Sequence, residues 1–213
     1  MLKSITYLDL ETTGAAPAKD RITEIALIRF DNGVEVGRWQ TLVNPQQDIP
    51  AFIQQLTGID NAMVASAPTF AEVSQTLLGF LKGSVLAAHN AKFDHGFIKE
   101  EFKRLDLGLW QRYEQQQKVL CTVKLSRLLY PEHKSHGLSA IMDRHQITSN
   151  ARHRAMGDVE MVLAFLAAAK LELGAVVLKK AFEALMAEPL LKVSKKVTEK
   201  TIGKAIETNL KPQ

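Results

Sequence analysis

Four carboxylates in this chain stand in apolar surroundings: Asp9, Glu11, Asp94 and Asp158. Asp158 lies on the edge of a stripe formed by Ala155, Val159, Val162, Leu163 and Leu166 at helical spacing, a pattern that faces a core. A buried carboxylate without a partner is expensive or protonates, so it needs a cationic side chain, a hydrogen-bond network or a bound metal. Four such groups in one chain make a metal site the leading reading.

Asp9 and Glu11 belong to Ser4-Ile5-Thr6-Tyr7-Leu8-Asp9-Leu10-Glu11, which reads as a short strand. Strand side chains alternate faces, so Asp9 and Glu11 point one way and Leu8 and Leu10 the other. The strand stops at Thr12-Thr13-Gly14, a turn of small residues expected to leave backbone N–H groups open to a ligand. Taken alone, the pair would fit equally an edge strand with its acids in water. Asp94 follows the apolar strand Val85-Leu86-Ala87-Ala88 and the polar break His89-Asn90-Ala91, and opens a helix with Phe93, Phe97, Ile98 and Phe102 at core spacing. That places it at the carboxyl end of the sheet, where open α/β folds bind ligands, although an acid in a first helical turn also complements the helix dipole. His153 precedes Asp158 by five residues, about 140° apart on one helix, so it should sit in the loop before that helix. A histidine there serves otherwise as a surface or capping residue.

The elements that position these groups form an α/β pattern. Strands are expected near 4–10, 22–30, 34–43, 85–88 and 118–121, and helices near 50–56, 70–82, 93–105, 122–129, 137–145 and 155–170. Asp31-Asn32-Gly33 signals a hairpin, whereas the last two strands are reached through helices, which gives a mixed sheet flanked by helices. Thr69-Phe70-Ala71-Glu72 is a capping box. No internal repeat or low-complexity tract is present.

Three stretches together, Asp9-Leu10-Glu11-Thr12-Thr13-Gly14, His89-Asn90-Ala91-Lys92-Phe93-Asp94 and His153-Arg154-Ala155-Met156-Gly157-Asp158, resemble in order the three motifs of the DEDDh exonucleases. The proofreading epsilon subunit of bacterial DNA polymerase III belongs to that group. Ile22-Thr23-Glu24-Ile25-Ala26, Leu56-Thr57-Gly58-Ile59 and His136-Gly137-Leu138-Ser139 are also similar to the family, and the likeness covers residues 1–170. A related subgroup has tyrosine four residues before the last aspartate; here that position is Arg154, which favours the histidine subgroup.

The resemblance implies a ribonuclease H-like fold and a metal-dependent 3'-5' exonuclease that releases 5'-mononucleotides from single-stranded or frayed DNA, as in proofreading or repair. It implies two divalent ions, Mg2+ or Mn2+, held by Asp9, Glu11, Asp94 and Asp158 with Asp9 bridging, and His153 as general base. Backbone at Thr12 and Thr13 would hold the terminal nucleotide. Leu56, Thr57 and Phe93 would pack on its sugar and base, with His89 and Asn90 lining the pocket; by residue type alone, Leu56 and Phe93 suit a core equally. Two alternatives stay open, an exoribonuclease trimming RNA 3' ends and a replication or repair binding module whose nuclease site is secondary.

The 213 residues, 46% hydrophobic, suit one domain with an appendage, here 1–170 and a helical, lysine-rich extension, 171–213. A single cysteine, Cys121, excludes a disulfide framework. The longest apolar run, Met161 to Ala169, is nine residues, too short for a bilayer, and no signal-type region precedes the first strand, so a cytoplasmic protein is expected. Residues 190–213 carry six lysines against Glu199 and Glu207, a net of +4 that equals the whole chain's formal charge. The sequence pI of 9.1 therefore belongs to this tail. Val193, Val197, Ile202 and Ile206 could pack it on the domain, or it could bind nucleic acid or a polymerase or repair partner.

Overall fold

The computed structural model describes residues 3–105, 117–148 and 154–187. Its centre is a five-stranded sheet, order β3-β2-β1-β4-β5, made of β1 (Ser4–Thr12), β2 (Ile22–Asp31), β3 (Val34–Leu42), β4 (Val85–Ala88) and β5 (Val119–Cys121). β1, β2 and β3 pair antiparallel, and β4 and β5 join parallel to β1. The β2–β3 hairpin turns at Asn32 and Gly33, both with positive φ (52° and 84°), the conformation that matches strand twist in a two-residue loop. The parallel strands need helical crossovers, as their sequence spacing indicated.

Those crossovers carry α1 (Ala51–Thr57), α2 (Asn61–Ala65) and α3 (Phe70–Leu81) before β4, and α4 (Lys92–Arg104) after it. α5 (Thr122–Leu129), α6 (Leu138–His145), α7 (Ala155–Leu173) and α8 (Ala175–Ala187) complete the described elements. The capping box at Thr69 and Glu72 opens α3 as expected. α2 was not anticipated: five residues are too few to display a helical period, and its start depends on the Asp60 carboxylate accepting from the Met63 N–H at 2.8 Å. α8 follows α7 directly, because Gly174, at φ 85°, ends α7 and lets the chain turn at once.

Alternation along the strands sorts the core into two layers. Ile5, Tyr7, Ala26, Ile28, Val85 and Ala87 face α5 to α8, meeting Leu125, Val159, Val162 and Phe165. Leu8, Leu10, Ile25, Leu27 and Leu86 face α3 and α4, meeting Leu77, Phe97, Ile98 and Phe102. Asp9 and Glu11 follow Ile5 and Tyr7 in phase and so face α7. Asp94 belongs to the opposite layer and reaches the sheet end from the start of α4.

α8 packs into the first layer through fully buried Ala181 and nearly buried Val177, so the first part of the expected extension shares the main core. Val193, Val197, Ile202, Ile206 and the lysines of the tail lie outside the described residues. Among the described residues no helix is long and apolar enough to cross a membrane. Phe165 is wholly buried, its ring 6.3 Å from Tyr130 and 5.5 Å from His145. Phe165→Ala should therefore cost about 3–5 kcal/mol in urea unfolding, the usual cost of a large core truncation. Leu171→Ala, at a position 88% exposed, should stay within about 0.5 kcal/mol of the parent.

Candidate active site

The site forms where the central strand outruns its neighbour. β1 pairs with β4 only over Ile5–Tyr7, so Asp9, Leu10 and Glu11 project past the end of β4. α4 begins there, and the buried Asp94 carboxylate accepts from the Leu10 N–H and from its own. α7 closes the other side and brings Asp158 down on the strand. Asp9, Glu11 and Asp158, each half-buried, offer oxygens all within 4.8 Å of one another. Asp94 lies outside that trio yet is the largest charge acting on Asp9.

The electrostatics follow from this crowding. Burial holds Asp9 well above the usual carboxylate range, and Asp94, Asp158, Glu11 and Glu24 push it further in that order. Burial, then Asp158 and Glu24, raise Glu11 to about 7, while the Arg154 guanidinium works against them. Asp94 is raised too, by burial first, with its two backbone hydrogen bonds in opposition. The trio is all oxygen, without sulfur or imidazole, a donor set that suits a hard cation. The acidic cluster fits divalent metal binding.

Glu24 and Arg154 complete the surroundings. Glu24 is opposite Glu11 in the β1–β2 register and fully buried. It is nevertheless held below the usual range: burial opposes ionisation, but hydrogen bonds from Arg154, the Ala155 N–H and Gln40 outweigh it. Sequence reasoning gave neither residue a role. The available signal was Glu24 itself, a lone carboxylate inside the apolar run Ile22 to Ile28.

The expected substrate residues separate into groups. Leu56 is 52% exposed, outside the core. Thr57 is buried, its hydroxyl donating to the Ile53 carbonyl and accepting from the Ile59 N–H, so it closes α1. Phe93 is half-buried, its ring 4.8 Å from Phe97. Thr12 is buried and its hydroxyl donates to the Gly14 carbonyl. The Thr13 N–H is not open as expected: it donates to the Arg21 carbonyl at 2.8 Å, because a bulge at Glu11/Thr12 carries backbone pairing one step past the strand. Asn90 is exposed at φ 72°, in the turn that leads into α4. His89 pairs through Nδ1 with the Thr122 hydroxyl at 3.0 Å, and burial lowers its pKa to about 4. His153 lies outside the described residues.

A carboxyl group raised on folding binds its proton more tightly in the native than in the unfolded chain, so its contribution to stability falls as pH rises between the two pKa values. For Glu11 that window runs from 4.5 to about 7. Without divalent cations, Glu11→Gln should match the parent below pH 4.5 and become progressively the more stable protein up to about pH 7. Urea midpoints across this range, with chelator present, check it, and the opposite shift of His89 cancels in the difference. A gap that does not change with pH would mean that Glu11 titrates as an ordinary carboxylate.

The chain is similar to several known proteins. The chain is 41% identical over 152 residues to a PolC-type DNA polymerase III of Caldanaerobacter subterraneus subsp. tengcongensis, covering 71% of this chain and 10% of the relative. It is 38% identical over 155 residues to the 3'-5' exonuclease DinG of Bacillus subtilis, covering 72% of this chain and 16% of that protein. The chain thus spans a small part of either relative's length. Its fold matches the zinc-bound E. coli exonuclease I–single-stranded DNA complex with a TM-score of 0.71 at 19% identity, over 86% of this chain and 43% of that one. The RNase_T exonuclease family model matches residues 6–166, most of the chain and all of the acidic site, and the chain belongs to that family.

Proposed function

We propose that this chain hydrolyses terminal phosphodiesters from the 3' end of single-stranded or frayed DNA and releases 5'-mononucleotides, in the cytoplasm. The observation that carries the reading is the trio Asp9, Glu11 and Asp158 within 4.8 Å, backed by Asp94. These four side chains would hold two divalent ions, Mg2+ or Mn2+. When bound, such ions lower the pKa of a water and stabilise a leaving 3' oxygen. DNA is the favoured polymer because the relatives above are named for DNA synthesis and 3'-5' exonuclease activity.

The chain's own residues supply the rest. His153 takes the proton of the attacking water, as an imidazole general base. Exposed Leu56 and half-buried Phe93 pack on the terminal sugar and base, contacts that tolerate any sequence because every base has a face. Thr12, Thr13, Thr57 and Asn90 shape the pocket, Thr57 by fixing the end of α1 beside Leu56. His89 lines it as a neutral ring, because burial keeps it uncharged at physiological pH. Residues 171–213 are the extension that a polymerase or repair partner would engage.

A time course on 5'-labelled DNA and RNA of equal sequence, with Mg2+ or Mn2+ added, tests the reading. Single-nucleotide shortening of DNA from the 3' end is expected, with RNA cut more slowly and circular single strands left intact. Asp158→Asn should abolish turnover and blunt the rise in melting temperature that Mn2+ gives the parent. Cut circles, or an active Asp158→Asn, would overturn it. His153→Ala should retain the Mn2+-induced stabilisation yet lose roughly 10²- to 10⁴-fold in rate. A variant that keeps the parental rate and pH profile would assign the base elsewhere.

A further inference from the structure

Glu24 should aggravate the repulsion at this site, since it faces Glu11 across the β1–β2 ladder and its side chain is 1% exposed. Its oxygens are nevertheless fully engaged. Arg154 donates from Nη2 to Oε1 at 2.6 Å and from Nε to Oε1 and Oε2 at 3.3 and 3.2 Å. Gln40 Nε2 donates to Oε1 at 2.8 Å, and the Ala155 N–H donates to Oε2 at 3.0 Å. Ala155 is the first residue of α7 and Arg154 its N-cap, whose own side chain caps nothing. A strand residue therefore performs the capping of this helix, satisfying an N–H that has no partner within it.

One turn further on, the Asp158 N–H donates to the Arg154 carbonyl at 3.1 Å. The path from β2 to Asp158 is thus a chain of short, directional bonds: carboxylate to guanidinium and Ala155 amide, then a single helical turn. In sequence, Arg154 also directly follows His153. A buried ion pair adds little net stability over apolar packing, so its value here lies in the geometry it fixes.

We propose that Glu24 and Arg154 are positioning residues that lock the start of α7 to β2 and thereby set Asp158 against Asp9 and Glu11. The proposal rests on the reading of those three as the metal site. Glu24 is not itself a ligand, because its oxygens already accept from Arg154, Gln40 and Ala155. Partners that orient metal ligands are worth about 10- to 100-fold in affinity or rate, and that is the effect expected here.

The test uses the full chain with Glu24→Gln and Arg154→Lys. Glu24→Gln keeps the shape but sets an amide N–H2 against a donor. Arg154→Lys keeps the charge but loses the fork that spans both oxygens. Binding of Mn2+, followed by electron paramagnetic resonance of the free ion, should weaken about 10- to 100-fold in both variants. Turnover number on a short single strand should fall by a similar factor while KM stays at the parental value. Should Glu24→Gln fail to fold, Arg154→Lys, altered at a side chain 37% exposed, carries the same expectation. If both variants melt earlier yet bind Mn2+ and turn over like the parent, the pair is only a structural ion pair and the proposal falls. An unimpaired Arg154→Lys beside an impaired Glu24→Gln would overturn it as well, since charge rather than the fork would then matter. A parent that binds Mn2+ no better than Asp158→Asn would instead refute the metal reading, and this proposal with it.

Discussion

Repulsion among carboxylates at the end of β1 is the constraint around which the structure is arranged. Two unit charges about 4 Å apart repel by about 4 kcal/mol at an effective dielectric of 20, and Asp9 faces Asp94, Asp158, Glu11 and Glu24 together. A fold that held these groups on mobile loops would relax by letting them swing apart. Here they are mounted on a central strand and the first turns of two helices, each anchored by core packing on opposite faces of the sheet. The effect of burial, reinforced by this repulsion, is therefore held as raised proton affinity instead of being lost to motion.

Backbone topology explains why three distant segments meet. An antiparallel β2 extends the ladder along all of β1, whereas parallel β4 stops at Tyr7. The mismatch leaves the Leu10 N–H without a strand partner, and Asp94 takes it from the α4 side. On the other side the same antiparallel register puts Glu24 beside Glu11, where it meets the start of α7. One strand thus offers a carboxylate face to α7 and a free backbone donor to α4.

Much of this could be read from residue order, and what could not has an identifiable cause. The shared face of Asp9 and Glu11 follows from period-two alternation, and the place of Asp94 from a strand-then-helix pattern, because both signals are local. The clamp from Glu24 to Arg154 spans 130 residues and depends on strand register, which no local pattern fixes. The expected open N–H at Thr13 is engaged for a related reason. Small residues after a strand suggest open N–H groups, but a bulge kept the ladder going long enough to engage this one with Arg21. Leu56 and Thr57 were given the same role from adjacent positions, yet adjacent residues on a helix face about 100° apart, so one is exposed and the other buried.

Arg154 illustrates how a single cation can serve two opposed demands. Its guanidinium pairs with Glu24, whose charge raises Asp9 and Glu11, and it also opposes the upward shift of Glu11. Were it closer to the trio, it would compete with a metal for their oxygens. Placed behind Glu24, it stays engaged with that carboxylate and leaves the oxygens of Asp9, Glu11 and Asp158 grouped within 4.8 Å. The local balance is then one acid paired with a guanidinium beside a cluster in which burial and neighbouring carboxylates raise the proton affinity of Asp9 and Glu11.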